Sequence, residues 1–224
     1  MRYEIKGEPM PVVICYPEIG EKIKSEAGAM AWMTSKMKME TSSGGVGKAF
    51  GRMFSGESLF QNVYTAEAEG QMIAFSSSFP GGIRMIEITP DKPVICQKSA
   101  FLASTEGVEL SIQFQKKMAT GLFGGQGFIM QKLSGRGIAF VEIDGSVFEY
   151  DLAPGEKMVV STGNLAVCDA TVEIGIQSVG GVKNALFGGE GIFNTTVTGP
   201  GHVILQSMTI AGLAQTLSTG GSQG

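Results

Sequence analysis

One histidine, one tryptophan and three cysteines are all that 224 residues supply of those types, and charged residues make up only 17% of the chain. Each shortage excludes something. With His202 alone, a β-barrel oxygenase that binds its metal through several histidines cannot be assembled. A Ser–His or Cys–His nucleophile pair would have to use that one ring. Cys15, Cys96 and Cys168 are odd in number and widely spaced, which argues for buried thiols rather than disulfides or zinc ligands. No apolar run approaches the ~18 residues of a membrane-spanning helix. The start, Met1-Arg2-Tyr3-Glu4-Ile5-Lys6-Gly7-Glu8, lacks the apolar stretch of a secretion signal, so a cytoplasmic location is expected. The Gly-x-Ser-x-Gly nucleophile elbow is missing. A net charge of −4 disfavours nonspecific nucleic-acid binding, which depends on Lys and Arg neutralising phosphates.

Glycine is abundant, with 33 residues, and it recurs in a pattern. Leu122-Phe123-Gly124-Gly125-Gln126-Gly127-Phe128 returns as Leu186-Phe187-Gly188-Gly189-Glu190-Gly191-Ile192, and a worn copy stands at Met53-Phe54-Ser55-Gly56-Glu57-Ser58-Leu59. The agreement extends beyond glycine. Pro90-Asp91-Lys92-Pro93 recurs as Pro154-Gly155-Glu156-Lys157 at the interval that separates Gly125 from Gly189. Gly20-Glu21-Lys22-Ile23 matches Gly155-Glu156-Lys157-Met158, and Gly28-Ala29-Met30-Ala31 matches Gly163-Asn164-Leu165-Ala166. Self-similarity of this kind sets the architecture before any local assignment.

Within each copy the hydrophobic period is two. Val108, Leu110, Ile112 and Phe114 alternate with Glu109, Ser111, Gln113 and Gln115; Val172, Ile174 and Ile176 alternate with Glu173, Gly175 and Gln177; Met37 and Met39 lie between Lys36, Lys38 and Glu40. Such alternation predicts strands with one buried face. Hairpins are expected around Gly199-Pro200-Gly201 and Gly135-Arg136-Gly137, with a longer, solvated tip at Glu69-Gly70 in the first copy. Short helices or tight turns are expected before the glycine runs, over Val46–Met53, Lys116–Leu122 and Val182–Phe187. Leu217 to Gly224 reads as a flexible tail.

Candidate sites are few. Ser42-Ser43-Gly44-Gly45-Val46-Gly47-Lys48-Ala49 is a poor phosphate loop, with Ser42 where a glycine is needed and Ala49 where a hydroxyl should hold magnesium. Glu57, Gln126 and Glu190 share one position in the copies, for which repeat symmetry is a simpler cause than acid–base chemistry. Trp32 reads as core or subunit interface, and Met30, Met33, Met37 and Met39 as adaptable packing. Lys48, Arg52, Lys116, Lys117 and Lys183 precede the glycine runs; brought together, they would hold an anion. No catalytic, cofactor or metal residue is assigned.

Gly56-Glu57-Ser58-Leu59-Phe60, the run Leu186 to Phe193, and Gly199-Pro200-Gly201 with Leu205-Gln206-Ser207 resemble the altered-inheritance-of-mitochondria family of uncharacterised proteins. The resemblance implies a fold similar to the tryptophan RNA-binding attenuation protein, a short double-stranded β-helix, here triplicated. The family's mitochondrial members are linked to inner-membrane organisation and respiratory complexes. The expectation is therefore an all-β chain with pseudo-threefold symmetry. One compact unit spans 1–213, with β subdomains of about 1–84, 85–148 and 149–213, and a flexible tail spans 214–224. Low charge admits either a large enclosed core or apolar surface covered by another copy of the chain. The leading functional expectation is a non-enzymatic scaffold or interaction protein that forms a homo-oligomer. A small-ligand or RNA-binding module and a peripheral membrane-associated factor are the alternatives.

Overall fold

The computed structural model describes residues 1–42, 61–116, 128–178 and 193–220. After β1 (Arg2–Lys6) the strands fall into three sets of six. The first is β2 (Val12–Tyr16), β3 (Lys22–Glu26), β4 (Met30–Met33), β5 (Met37–Ser42), β6 (Gln61–Ala66) and β7 (Ile73–Ser76). The second is β8 (Gly81–Ile88), β9 (Val94–Gln97), β10 (Phe101–Thr105), β11 (Val108–Lys116), β12 (Phe128–Gly135) and β13 (Gly137–Asp144). The third is β14 (Val147–Leu152), β15 (Lys157–Ser161), β16 (Leu165–Asp169), β17 (Glu173–Ser178), β18 (Phe193–Thr198) and β19 (Gly201–Gln206). A helix, α1 (Ile210–Gly220), follows.

Every pairing is antiparallel, and one pattern recurs in each set. The fifth strand lies between the second and the fourth, as in β3–β6–β5, β9–β12–β11 and β15–β18–β17. The sixth lies between the third and the first, as in β4–β7–β2, β10–β13–β8 and β16–β19–β14. Each set therefore contributes two half-sheets. Two junctions join half-sheets from successive sets: β3 pairs with β10, and β9 with β16. The result is two six-stranded sheets, β5-β6-β3-β10-β13-β8 and β11-β12-β9-β16-β19-β14. The remaining half-sheets stay separate, as β1-β2-β7-β4 and β15-β18-β17. A closed threefold ring would need β15 on β4, and that pairing is not formed.

The hairpins expected around the short glycine turns are corners instead. The chain passes from β12 to β13 at Gly135-Arg136-Gly137, and from β18 to β19 at Gly199-Pro200-Gly201, but neither pair is hydrogen-bonded; the two strands enter different half-sheets. The same holds for β6 and β7 around Glu69-Gly70. The reason is close approach at the bend. A Cβ on Gly137 would lie 2.1 Å from the Thr105 hydroxyl oxygen, and one on Gly199 would lie 2.4 Å from the Ala153 carbonyl oxygen. A side chain acceptor also takes an amide within two residues after each bend. Met72 N–H donates to Thr34 Oγ1 (3.1 Å), Ile138 N–H to Thr105 Oγ1 (3.0 Å), and His202 N–H to Asp169 Oδ2 (2.8 Å). The true hairpins, β5–β6, β11–β12 and β17–β18, span the glycine runs. Those runs lie outside the described residues, as do the expected short helices, apart from Lys116 at the end of β11.

Packing ties the sets together. Ile23, Tyr64 and Phe75 of the first set share one core with Leu102 and Phe140 of the second. Phe101, Leu133 and Val141 share another with Val167 and Ile204 of the third. Phe128, Met130 and Ile95 of the second join Leu165, Cys168 and Val197 of the third. Each fully buried side chain of this size contributes about 1.5–3 kcal/mol, so separating the sets would expose most of three cores. The expected boundaries at 84 and 148 fall inside β8 and β14, the strands with which the recurring pairing pattern begins. The expected tail is helical over most of its length. Thr209 Oγ1 accepts from the Gly212 N–H (3.0 Å) and caps a run containing Ala211, Leu213, Ala214 and Leu217, all good helix formers.

Candidate functional site

Two kinds of feature stand apart from ordinary sheet packing: a carboxylate-lined cavity, and the β4 and β15 edges, which lack the junction partner that their counterparts in the other sets have. The cavity, of about 270 Å³, lies between the first and second sets. Glu26 at the end of β3, Glu142 and Asp144 on β13, and Ser78 and Ser99 line it with Phe101 and Leu102, and Ile210 of α1 reaches its rim. Strand β13 is buried from Ala139 to Asp144, on both faces, so its two acids cannot turn to solvent.

Glu142 is held by donors. Ser77 Oγ donates to its Oε2 at 2.9 Å, the Ser78 N–H to the same oxygen at 2.6 Å, and Ser78 Oγ to Oε1 at 3.4 Å. Burial nevertheless raises its carboxyl above the ordinary range, because these bonds only partly offset lost hydration. Asp144 is less well served. Its Oδ1 is buried without a hydrogen-bond partner. Burial, with repulsion from Glu142 added, pushes its carboxyl up to about 6. Glu26 is raised as well, chiefly by burial. The sequence signal was present but overlooked: Phe140-Val141-Glu142-Ile143-Asp144 places two acids in an otherwise apolar strand.

His202, at the start of β19, sits in an ion cluster on a more exposed face. Its Nδ1 is 2.7 Å from Asp151 Oδ1 and its Nε2 is 3.4 Å from Glu149 Oε2, while Arg84 Nε is 3.1 Å from Glu149 Oε1. The hydrogen bond to Asp151 leads in raising its pKa, with Glu149 and Asp169 adding to it. His202, Glu149 and Arg84 border a cavity of about 300 Å³ with Cys168 and Asp169. The carboxylates stabilise the protonated ring relative to a free imidazole. Among the described residues, no three His, Cys, Asp or Glu side chains are placed to hold a metal.

The three cysteines are free and buried, as expected, and burial pushes each thiol up to about 12, far from nucleophilic ionisation. Met37 and Tyr64 lie in a core, whereas Met39 is exposed. Ser43–Ala49 of the glycine-rich loop, Lys48, Lys183, Glu57, Gln126 and Glu190 fall outside the described residues. Trp32 belongs to β4 and is 45% exposed. It lies on the unpaired edge of its sheet. The opposite unpaired edge, β15, carries Val159 at 55% exposure. No helix among the described residues is long and apolar enough to cross a membrane.

These features define an all-β protein of antiparallel sheets in which half-sheets are shared between successive strand sets. The chain belongs to the family described as mitochondrial biogenesis AIM24, whose profile matches residues 3–208. It is similar in fold to protein SPYM3_0169 from Streptococcus pyogenes, a crystal structure with a TM-score of 0.80 and 24% sequence identity, over 97% of this chain and 98% of that one. No curated protein matches the chain.

Proposed function

We propose that the chain is a non-enzymatic scaffold or interaction protein. On this reading its three strand sets are like units, arranged on the plan of the tryptophan RNA-binding attenuation protein, and its binding surfaces are the edges where the row of units ends. One observation carries the reading. The β4 and β15 edges are open where the corresponding strands of the other sets are paired, and each bears a large apolar residue, Trp32 and Val159, that is about half exposed. A free sheet edge presents unpaired N–H and C=O groups, and proteins normally shield such edges unless they are used. The buried thiols and the ion-paired His202 support the same reading from the other side, since burial keeps the thiols from ionising and carboxylates occupy both ring nitrogens.

The test is photo-crosslinking inside cells. A photoreactive residue at position 32 or 159 is expected to give discrete adducts, and one at exposed Glu69, in the corner between β6 and β7, none. Adducts at Glu69 equal to those at the edges would refute the reading, as would a turnover that persists through purification and is lost in a point variant.

A small-ligand reading has one observation in its favour, the unpartnered Asp144 Oδ1 beside a carboxylate-lined cavity. The ligand class it fits is a small cation with N–H donors. Calorimetric titration of wild type and Asp144→Asn with a diamine separates it from the interaction reading, because only the cavity variant would change the heat.

A further inference from the structure

We propose that β15 of one chain pairs with β4 of a second copy, completing a third sheet of the kind each chain already builds twice. This deepens the interaction-protein reading, on which it rests, by naming the partner.

The two internal junctions are the template. In one, Cys96 lies opposite Val167, Ile95 opposite Cys168 and Val94 opposite Asp169. In the other, Ser25 lies opposite Ala103, Lys24 opposite Ser104 and Ile23 opposite Thr105. The recurring turns align these positions. Pro90 matches Pro154, which places Val159 where Ile95 stands and Val160 where Cys96 stands. Gly28 matches Gly163, which places Trp32 where Val167 stands and Met33 where Cys168 stands. Both internal junctions then have the same register. Carried to the free edges, that register sets Trp32 opposite Val160, Met33 opposite Val159 and Thr34 opposite Met158.

Burial fits this pairing residue by residue. Inside a junction, Ile95 is 4% exposed and Val167 2%; their counterparts at the ends, Val159 and Trp32, are 55% and 45% exposed. Opposed residues point to the same face of a sheet, so each pair should share a core. Ile95 and Cys168 do share one, and Cys96 and Val167 share another. At the free edges each pair is half complete. Met33 packs against the core of the first set, without its opposite number. Val160 packs in the core of the third set, also alone. Docking a second copy lays Val159 over Met33 and Trp32 over Val160. The edge of one end lacks what the edge of the other end offers, which singles out another copy of this chain over an unrelated strand. The contact is head-to-tail, so it continues from chain to chain and ends in a ring or a filament.

Two measurements test the pairing on the full chain. The first is solution mass by light scattering across a concentration series, for wild type and Trp32→Lys, because Lys24 already stands at the Val159 position of one internal junction whereas Ala103 and Val167 keep the Trp32 position apolar. The mass is expected to exceed one chain in wild type and to fall to one chain in the variant, which alters an exposed side chain. The second mixes Met33→Cys with Val159→Cys under mild oxidation. Directly opposed positions lie within disulfide reach, and the native cysteines are buried. A disulfide-linked dimer between the two variants is expected, with yield at least tenfold above either variant alone. The second measurement leaves Trp32 in place, so it decides the matter even if Trp32→Lys misfolds. A one-chain mass at every concentration overturns the pairing, as do links of each variant with itself, or a link within single chains of the double variant. A one-chain mass leaves the photo-crosslinking test of the broader reading to give its own answer.

Discussion

Replacing Asp144 by Asn is expected to stabilise the protein at neutral pH, although it removes a charge from a natural sequence. Asp144 lies at 6% exposure on β13 with Oδ1 unpartnered, and its carboxyl is pushed from the ordinary 3.8 up to about 6 by burial first and Glu142 second. A folded-state pKa above the unfolded one means that the native protein holds the extra proton. Stability is then highest below pH 4, falls as pH rises through the window from 3.8 to about 6, and stays reduced above it. At about 1.4 kcal/mol per pKa unit, the full difference would approach 3 kcal/mol. The cavity beside Asp144 admits solvent, which reduces this to about 1–2 kcal/mol. The amide is isosteric and carries no charge to desolvate, so the variant should gain that amount at pH 7.5 and nothing near pH 4. Glu142 is present in both proteins, and its own raised carboxyl cancels to first order. Urea unfolding at intervals from pH 4 to pH 8 measures the difference directly. A variant that is no more stable at pH 7.5, or whose advantage grows toward acid, would refute the reasoning.

Two further expectations concern the fold. Phe140 is fully buried, with its ring 5.0 Å from Tyr3 in an edge-to-face contact, so Phe140→Ala should cost about 3–5 kcal/mol by chemical denaturation; Phe148→Ala, on a residue 48% exposed, should stay within about 0.5 kcal/mol. Gly81→Ala should lower the melting temperature by several degrees, because its Cβ would fall 2.0 Å from the Ile143 carbonyl oxygen, a backbone atom held in the β8–β13 ladder. A melting temperature equal to wild type would mean that β8 and β13 are not packed as described.

Much of the fold was legible in the chain because strand chemistry is local. The alternation at Val108 to Phe114 becomes β11, interrupted only by a register shift between Ile112 and Phe114. The match of Gly20-Glu21 with Gly155-Glu156 becomes the same turn twice. The Glu18 N–H donates to Glu21 Oε2 and the Ala153 N–H to Glu156 Oε2, each at 2.8 Å. What was not legible depends on partners distant in sequence. A glycine turn between two apolar runs reads as a hairpin, and only the acceptors at Thr105 and Asp169 show that the chain is turning a corner. Helix α1 was missed because Ser, Thr and Gly after Leu217 outweighed the cap at Thr209. Glu142 and Asp144 were missed because nothing local says that both faces of β13 are covered. The exposure of Trp32 was half foreseen: a residue suited to a core or an interface is here at an edge, and its counterpart Val167 shows what would cover it.

Amide hydrogen exchange over a range of protein concentrations tests the central claim most directly. If the row of units ends in two matching edges that seek each other, the amides of Met30–Met33 and Lys157–Ser161 should gain protection as concentration rises, approaching that of β9 and β16. Rapid exchange in both strands at every concentration, with the remaining sheets protected, would show that the row stops at its own ends.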